Sequence, residues 1–114
     1  DKFSFRLKAG NGETIATSQM YKSLTTCKAG IASVMANAPI ANLENQTEEG
    51  FAAQKHPKFE VYKDNAGEFR FRLKAKNGQN IAASEGYASE KSCLNGIESV
   101  RRNAVDAKIE MEEQ

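Results

Sequence analysis

The fold is decided by residues 69–84, FRFRLKAKNGQNIAAS, in which two short segments with alternating side chains flank an Asn-Gly pair. A near-copy, FSFRLKAGNGETIATS, stands at residues 3–18. When residues 3–46 are set against residues 69–112 without a gap, 22 of the 44 positions are identical. The chain is therefore a duplication. Because repeated units of this kind bury their apolar faces against one another, we expect the two copies to share one core.

Each copy is predicted to begin with a β-hairpin. Apolar residues occupy every second position of residues 69–75 and of residues 3–9, which is the period of a half-buried strand. The Asn-Gly pairs follow at residues 77–78 and 11–12. This dipeptide favours a type I′ turn, because both of its residues adopt positive φ readily, and such a turn would return the chain antiparallel.

A helix and a short strand are predicted to follow each hairpin. Ser23 and Ser89 can cap a helix by accepting a hydrogen bond from an otherwise unpaired backbone N–H. Short strands are predicted after the helices, at residues 41–44 and 107–110. Apolar residues recur in each helix at i, i+4, i+7 and i+11, which predicts one buried stripe. The stripes are formed by Cys27, Ile31, Val34 and Ala38 in copy one and by Cys93, Ile97, Val100 and Ala104 in copy two.

The two copies differ in how they start. Residues 47–57 have the composition of a solvated linker, and residues 58–63 predict one further strand ahead of the second hairpin. Copy two is thus predicted to be βββαβ, whereas copy one lacks a leading strand. The predicted organisation is a single domain over residues 1–114, with repeat one at residues 1–46 and repeat two at residues 58–112.

Composition narrows the class of protein. A length of 114 residues suits one compact domain, and no apolar run approaches the ~20 residues that a membrane-spanning helix needs. A net charge of +1 argues against binding to a polyanion through overall charge. Two cysteines make neither a disulfide framework nor a zinc site, which favours a reducing cytoplasm. The start at Asp1, without an initiator methionine, fits a fragment of a longer protein.

Several motifs of copy two stand in a fixed order: KFEVYK at residues 58–63, FRFRLK at 69–74, NG at 77–78, SEGY at 84–87 and NGIESV at 95–100. Copy one carries variants of two of them, SQMY and GIASV. This series resembles the repeat of the YegP-like bacterial proteins, and the resemblance covers nearly the whole chain. The departure is the missing first strand of copy one.

The resemblance implies an α+β fold of two tandem βββαβ units whose strands join one antiparallel sheet. It also implies that both helices pack on one face and that the last strand of each unit is exchanged into the other half. The periodicity described above independently predicts the same elements. Members of the family are chiefly uncharacterised, so the resemblance implies no catalytic residue.

The strongest candidate site is a basic surface for a polyanion on the polar side of the predicted sheet. Cations beside an aromatic ring can follow a phosphate backbone and stack a base. The alternative, which we favour, is an ordinary solvated face on which Glu60 and Glu68 neutralise part of the charge. The candidate residues are Arg6, Lys8, Tyr62, Arg70, Arg72, Lys74 and Lys76.

Other residues suggest weaker sites. Cys27 and Cys93 lie on apolar helix faces, which favours buried free thiols. A disulfide between them is the alternative if an internal two-fold axis brings their Cα atoms within ~7 Å. His56 lies in the linker without a second metal ligand nearby and is predicted to be exposed. The Asn-Gly pairs lack the further residues of a phosphate-binding loop.

The favoured function is a binding or interaction module without catalysis, because no catalytic triad, metal cluster or cofactor motif is visible. Its partner would be nucleic acid, another polyanion, or a protein strand added at a sheet edge. The alternative is a structural or homo-oligomeric protein that associates through its sheet edge. The chain would then be a homodimer rather than a monomer with internal two-fold symmetry. We expect no cofactor, no metal and no membrane association.

Overall fold

One mixed sheet of seven strands carries two helices in the computed structural model, which describes residues 2–105 and 108–113. The spatial order of the strands is β3-β4-β5-β6-β2-β1-β7. The elements in chain order are β1 (Phe3–Lys8), β2 (Thr14–Thr17), α1 (Leu24–Asn37), a 3₁₀ turn (Ala38–Ile40), β3 (Asn42–Asn45), β4 (Lys58–Lys63), β5 (Phe69–Lys74), β6 (Asn80–Ala83), α2 (Glu90–Val105) and β7 (Lys108–Glu113).

The prediction of a wholly antiparallel sheet is wrong at one pair of strands. β3 runs parallel to β4, with Asn42 beside Lys58 and Asn45 beside Val61. Parallel neighbours require a crossover of roughly a dozen residues rather than a tight turn, and residues 46–57 carry the chain back to the starting end of β4. The remaining neighbouring strands of the described chain pair antiparallel.

The strands predicted after the helices are present with shifted bounds. The first spans Asn42–Asn45, and it lies at one edge of the sheet beside β4. The second spans Lys108–Glu113 and pairs with β1. Residue 107, with which the second strand was predicted to start, lies outside the described residues. Each helix thus leads to a strand in the other half of the sheet.

The Asn-Gly turns differ from the predicted type I′ form. Gly12 and Gly78 have φ of +87° and +84°, but no described residue other than glycine has positive φ. In copy two the amide of Gly78 donates to the carbonyl of Ala75 at 2.9 Å, and the side-chain Oδ1 of Asn77 accepts from the amide of Gln79. Copy one repeats this geometry. The asparagine acts as a side-chain acceptor while glycine alone takes the left-handed position, so each loop has three residues instead of two.

A β-bulge in each hairpin turns two consecutive residues toward the core. In copy two Leu73 lies opposite Ala82 whereas Lys74 lies opposite Asn80, so Ile81 is the extra residue on β6. An extra residue on one strand breaks strict alternation. Both Ile81 and Ala82 are therefore buried, and the equivalent shift in β1 buries the matching pair in β2.

The predicted helix caps and buried stripes are confirmed. Ser23 Oγ accepts from the amide of Thr26, and Ser89 Oγ accepts from the amide of Ser92, both at 3.1 Å. The stripe residues are buried except Ile31, which is half-buried. They join the inward-facing strand residues in one hydrophobic core, led by Phe5, Leu7, Phe59, Val61, Phe71 and Leu73.

Candidate functional site: the open face of the sheet

The open face is the side of the sheet opposite the two helices. It is formed by the strand residues that alternate with the buried apolar ones, because successive side chains of a strand point to opposite faces. Strand pairing places Arg6 and Lys8 of β1, Arg70, Arg72 and Lys74 of β5, and Tyr62 of β4 on this face.

One row of open-face residues crosses all seven strands. It consists, from β3 to β7, of Glu44, Glu60, Arg72, Ala83, Thr17, Arg6 and Glu110. The two arginines are three strand spacings apart, which is about 14 Å between their Cα atoms. The two small residues between them, Ala83 and Thr17, form the bottom of a shallow trough. Each arginine has a glutamate on its outer side.

Arg72 is held in a fixed orientation beside this trough. Its Nε donates to Glu60 Oε1 at 2.5 Å, and its guanidinium carbon lies 4.3 Å from the centre of the Tyr62 ring. Burial alone would raise the pKa of Glu60, but hydrogen bonds from Arg72 and Lys58 outweigh burial and lower that pKa. The terminal nitrogens of Arg72 make no hydrogen bond to a described residue, so they can contact a ligand.

Most of the other predicted cations are also paired with carboxylates. Arg70 Nε lies 2.6 Å from Asp64 Oδ2, and this hydrogen bond is the main reason that the pKa of Asp64 is lowered. Arg6 and Lys8 both approach Glu110, at 3.7 and 3.9 Å. The charge on the open face is therefore much smaller than the number of cations suggests.

The two remaining lysines occupy different places. Lys74 lies on the open face and makes no ion pair with any residue that the structure describes. Lys76 was predicted to share this face, but it lies beyond the end of β5 and lines a cleft with Ser33 and Ile40. Lys76 belongs to the three-residue hairpin loop, where side chains no longer alternate between the two faces of the sheet. It therefore does not lie on the open face with the other candidate residues.

A buried ionic cluster closes the open face at β3 and β4. Lys58 Nζ lies 2.8 Å from Glu44 Oε1 and 3.2 Å from Glu60 Oε2. Gln46 donates its side-chain amide, and Gln54 its backbone amide, to the carboxylate of Glu44. The segment 46–57 therefore lies over the open face here, and sequence analysis missed this because the partners come from separate elements.

A groove of about 560 Å³ lies where β4 ends, beside the open face. Phe51, Tyr62 and Phe69 supply aromatic walls, and Lys63 and Glu90 supply charges. Phe51, which belongs to the connecting segment, is 45% exposed. Sequence analysis did not identify Phe51, and its only signal was that it is an aromatic residue in an otherwise polar linker.

The weaker candidates are placed as follows. Cys27 and Cys93 are buried free thiols, and burial raises both pKa values, that of Cys93 to about 11. His56 is exposed. Within the described ranges, no three His, Cys, Asp or Glu side chains are placed to hold a metal ion. Neither helix of the described chain combines the length and apolarity needed to cross a membrane.

These features define a class: a small α+β protein whose seven-stranded mixed sheet carries two helices on one face and ion-paired arginines on the other. The chain belongs to the family described as "Domain of unknown function (DUF1508)", whose model matches residues 1–44 and 64–110. The resemblance to YegP-like proteins noted from the motifs is thereby confirmed.

Similarities in sequence and in structure both support membership of this family. The UPF0339 protein YegP of Escherichia coli is 38% identical over 109 residues, which cover 96% of this chain and 86% of that protein. Its solution structure matches with a TM-score of 0.70 over 90% of this chain and 76% of that chain. The structure of UPF0339 protein SO3888 from Shewanella oneidensis has a TM-score of 0.74 at 35% identity, covering 92% of this chain and 76% of that one.

A further relative has a higher sequence identity over a shorter stretch. A UPF0339 protein from Stutzerimonas stutzeri is 69% identical over 48 residues, and the matched stretch spans 42% of this chain and 43% of that protein. None of these relatives carries a stated activity.

Proposed function

We propose that the protein is a non-catalytic binding module that takes single-stranded nucleic acid on its open face. The observation that carries this proposal is the geometry of Arg72, whose Nε is bonded to Glu60 while its planar group lies over Tyr62. A guanidinium already held in place loses little conformational entropy when it binds a phosphate oxygen. The carboxylate reduces the local charge, so orientation rather than net charge would provide the affinity.

The aromatic groove supports a nucleic acid over a plain polyanion. Phe51 is exposed at the groove and Tyr62 borders both the groove and Arg72. Stacking of a base on an aromatic ring contributes about 1–3 kcal/mol and needs no particular base. A chain that alternates phosphates and bases could use the arginine and the rings together.

Fluorescence anisotropy of a labelled single-stranded oligonucleotide, titrated with the protein at low and physiological salt, tests this function. Each phosphate contact contributes about −0.7 to the slope of log K against log salt. Lys74→Gln should weaken binding and reduce that slope by about one contact. Lys28→Gln removes the same charge from exposed α1, on the helical side, and should change neither.

Phe51→Ala separates nucleic acid from other polyanions. It should weaken oligonucleotide binding by roughly tenfold, the lower half of the stacking range, and leave heparin binding unchanged. Absence of oligonucleotide binding even at low salt would refute the proposal. Equal loss for both ligands would mean that Phe51 acts on the fold instead of on a base.

Self-association through a sheet edge is the second candidate function. Its supporting observation is that the edge strands of the described sheet, β3 and β7, each leave one side unpaired. Unpaired strand edges recruit further strands. Sedimentation at several concentrations should then show a dimer, and a constant monomer mass would contradict this candidate.

We also propose how the chain is divided and in which compartment the protein works. We divide it into repeats at residues 1–46 and 58–112, joined by residues 47–57, within a single domain. We place the protein in the cytoplasm, a proposal that the two free thiols support because a reducing compartment preserves them.

A further inference from the structure

We propose that the aromatic groove beside the open face selects guanine, and that the carboxylate of Glu90 reads this base. The inference rests on the proposed function and deepens it, because it names the base that a bound single strand places in the groove. The groove has aromatic walls of Phe51, Tyr62 and Phe69, and Glu90 and Lys63 are its charged residues.

The carboxylate of Glu90 is held in a fixed orientation at the groove. Glu90 is the first residue of α2 and is half-buried. Its Oε1 accepts a hydrogen bond of 2.9 Å from Nδ2 of Asn45, the last residue of β3. Oδ1 of Asn45 in turn accepts from the amide and from the hydroxyl of Thr47. A carboxylate that is already oriented loses little conformational entropy when it binds a ligand.

This carboxylate has acceptor capacity left for a ligand. Glu90 forms no ion pair with a described residue, and its Oε2 makes no hydrogen bond to one. Each carboxylate oxygen has two lone pairs, so Oε1 can accept a second hydrogen bond besides that from Asn45. The two oxygens of Glu90 can therefore bind two donors that lie side by side.

The segment that orients Glu90 also positions Phe51. The amide of Glu48 donates to the carbonyl of Asn45 at 3.4 Å, and the amide of Phe51 donates to the carbonyl of Glu48 at 3.3 Å. Two consecutive turns thus connect the residue that holds the carboxylate to the exposed aromatic residue. A base in the groove can contact both.

The other two rings favour a neutral planar ligand over a cation. Arg72 lies 4.3 Å from the centre of the Tyr62 ring, and Nζ of Lys63 lies 5.0 Å from the centre of the Phe69 ring. A cationic ligand would be repelled by these two side chains. Phe51 makes no contact with a described aromatic ring or cation, so it is available to stack on a base.

Guanine is the base whose edge matches a carboxylate. Its Watson–Crick edge presents two adjacent donors, N1–H and N2–H, and a pair of parallel hydrogen bonds to a carboxylate is a strong, specific arrangement. Adenine and cytosine present one amino group beside a ring nitrogen that is an acceptor, and N3–H of thymine lies between two carbonyl acceptors. A carboxylate oxygen would face a lone pair in each of these bases. Unpaired bases are commonly recognised through this edge.

Fluorescence anisotropy with labelled short strands tests the inference. A thymidine strand with one central guanine should bind roughly tenfold more tightly than the all-thymidine strand, which lies within the range for one bidentate contact. Adenine or cytosine at the centre should give no such gain, and hypoxanthine, which lacks the N2 amino group, should give a smaller one. Saturable but equal binding of all strands would overturn guanine selection and leave the proposed function intact. Absence of binding by every strand would refute the proposed function, and this inference with it.

Replacement of Glu90 tests the residue. Glu90→Gln should abolish the guanine preference, measured as the ratio of the affinities for the guanine-containing and all-thymidine strands, because glutamine replaces one acceptor with a donor. Loss of a negative charge alone would strengthen binding of both strands and leave the ratio unchanged. Glu98→Gln removes the same charge from α2 at a side chain that is 60% exposed and lies outside the groove, so it should keep the preference. A Glu90→Gln variant that keeps the preference would overturn the role of Glu90.

Guanosine monophosphate distinguishes a guanine within a strand from a free nucleotide. It should displace the labelled strand only at concentrations roughly tenfold or more above those of the unlabelled guanine-containing strand, because the strand contacts the open face as well as the groove. Equal potency of the two competitors would overturn the strand as the source of the guanine.

Discussion

Glu44 and Lys58 form an ion pair of 2.8 Å across β3 and β4, and their side chains are only 2% and 9% exposed. Burial acts to raise the pKa of Glu44, but hydrogen bonds from Lys58, Gln46 and Gln54 outweigh it and hold that pKa at about 2, against an ordinary value of 4.5. A lowered pKa in the folded state stabilises the fold above the unfolded value. This stabilisation should therefore be lost as the pH falls from 4.5 toward 2.

Replacement of Glu44 tests this pair. Glu44→Gln leaves Lys58 buried near a single carboxylate, so we expect a loss of roughly 3–5 kcal/mol in the free energy of unfolding at pH 7. The loss should shrink between pH 4.5 and 2, because Glu44 itself becomes protonated there. Urea denaturation across this pH range measures both effects. Glu48→Gln, in the exposed part of the same segment, should change stability little, and an equal effect of the two variants would exclude the ion pair as the cause.

The close contact between Gly96 and Tyr87 makes a second prediction. A Cβ atom added at Gly96 would lie 2.5 Å from the Tyr87 hydroxyl and 3.1 Å from Phe71. Gly96→Ala should destabilise the fold by about 1–3 kcal/mol through overpacking, despite the better helix propensity of alanine. Adding Tyr87→Phe removes the nearest atom and should restore part of the loss. Thermal unfolding of the two single variants and the double variant measures this coupling, and strict additivity would contradict it.

The hairpin geometry predicts unequal effects at Asn77 and Gly78. Gly78 has φ of +84°, so Gly78→Ala should cost about 1–2 kcal/mol in the free energy of unfolding. Asn77→Ala loses only the side-chain hydrogen bond to the amide of Gln79 and should cost about 0.5 kcal/mol. A type I′ turn would require positive φ at both residues. Equal costs in chemical denaturation would therefore favour the type I′ turn and contradict the observed loop.

The buried thiols should react slowly. Burial, with a smaller contribution from nearby Glu90, raises the pKa of Cys93 to about 11, and the thiolate is the reactive form. At pH 8 only about one Cys93 in a thousand is ionised, so the native protein should react with a disulfide reagent at least a hundredfold more slowly than the unfolded protein. The variants Cys27→Ala and Cys93→Ala assign the rates. Fast reaction of the native protein would mean that the helices open locally.

Much of the fold could be predicted because its signals are local. The alternation of residues 3–9 and 69–75, the capping serines and the apolar helix stripes act over one or two turns of chain. Because the chain is duplicated, each assignment of a strand, cap or helix stripe could be checked in both copies. The place of the basic residues on one sheet face also followed from alternation, except for Lys76, which lies past the strand end where alternation no longer holds.

Local sequence patterns could not predict which strands pair or in which direction they run. Nothing local distinguishes a parallel β3 from an antiparallel one, because direction depends on where residues 46–57 return the chain. The neutralisation of the basic face could not be predicted either, because Arg6 contacts Glu110 only when β7 lies beside β1. Local periodicity and turn chemistry by themselves determined the elements and the faces they present. Which strands become neighbours, and hence which charges pair and which position β7 fills, was decided only by the tertiary structure, because those contacts join residues far apart in the chain.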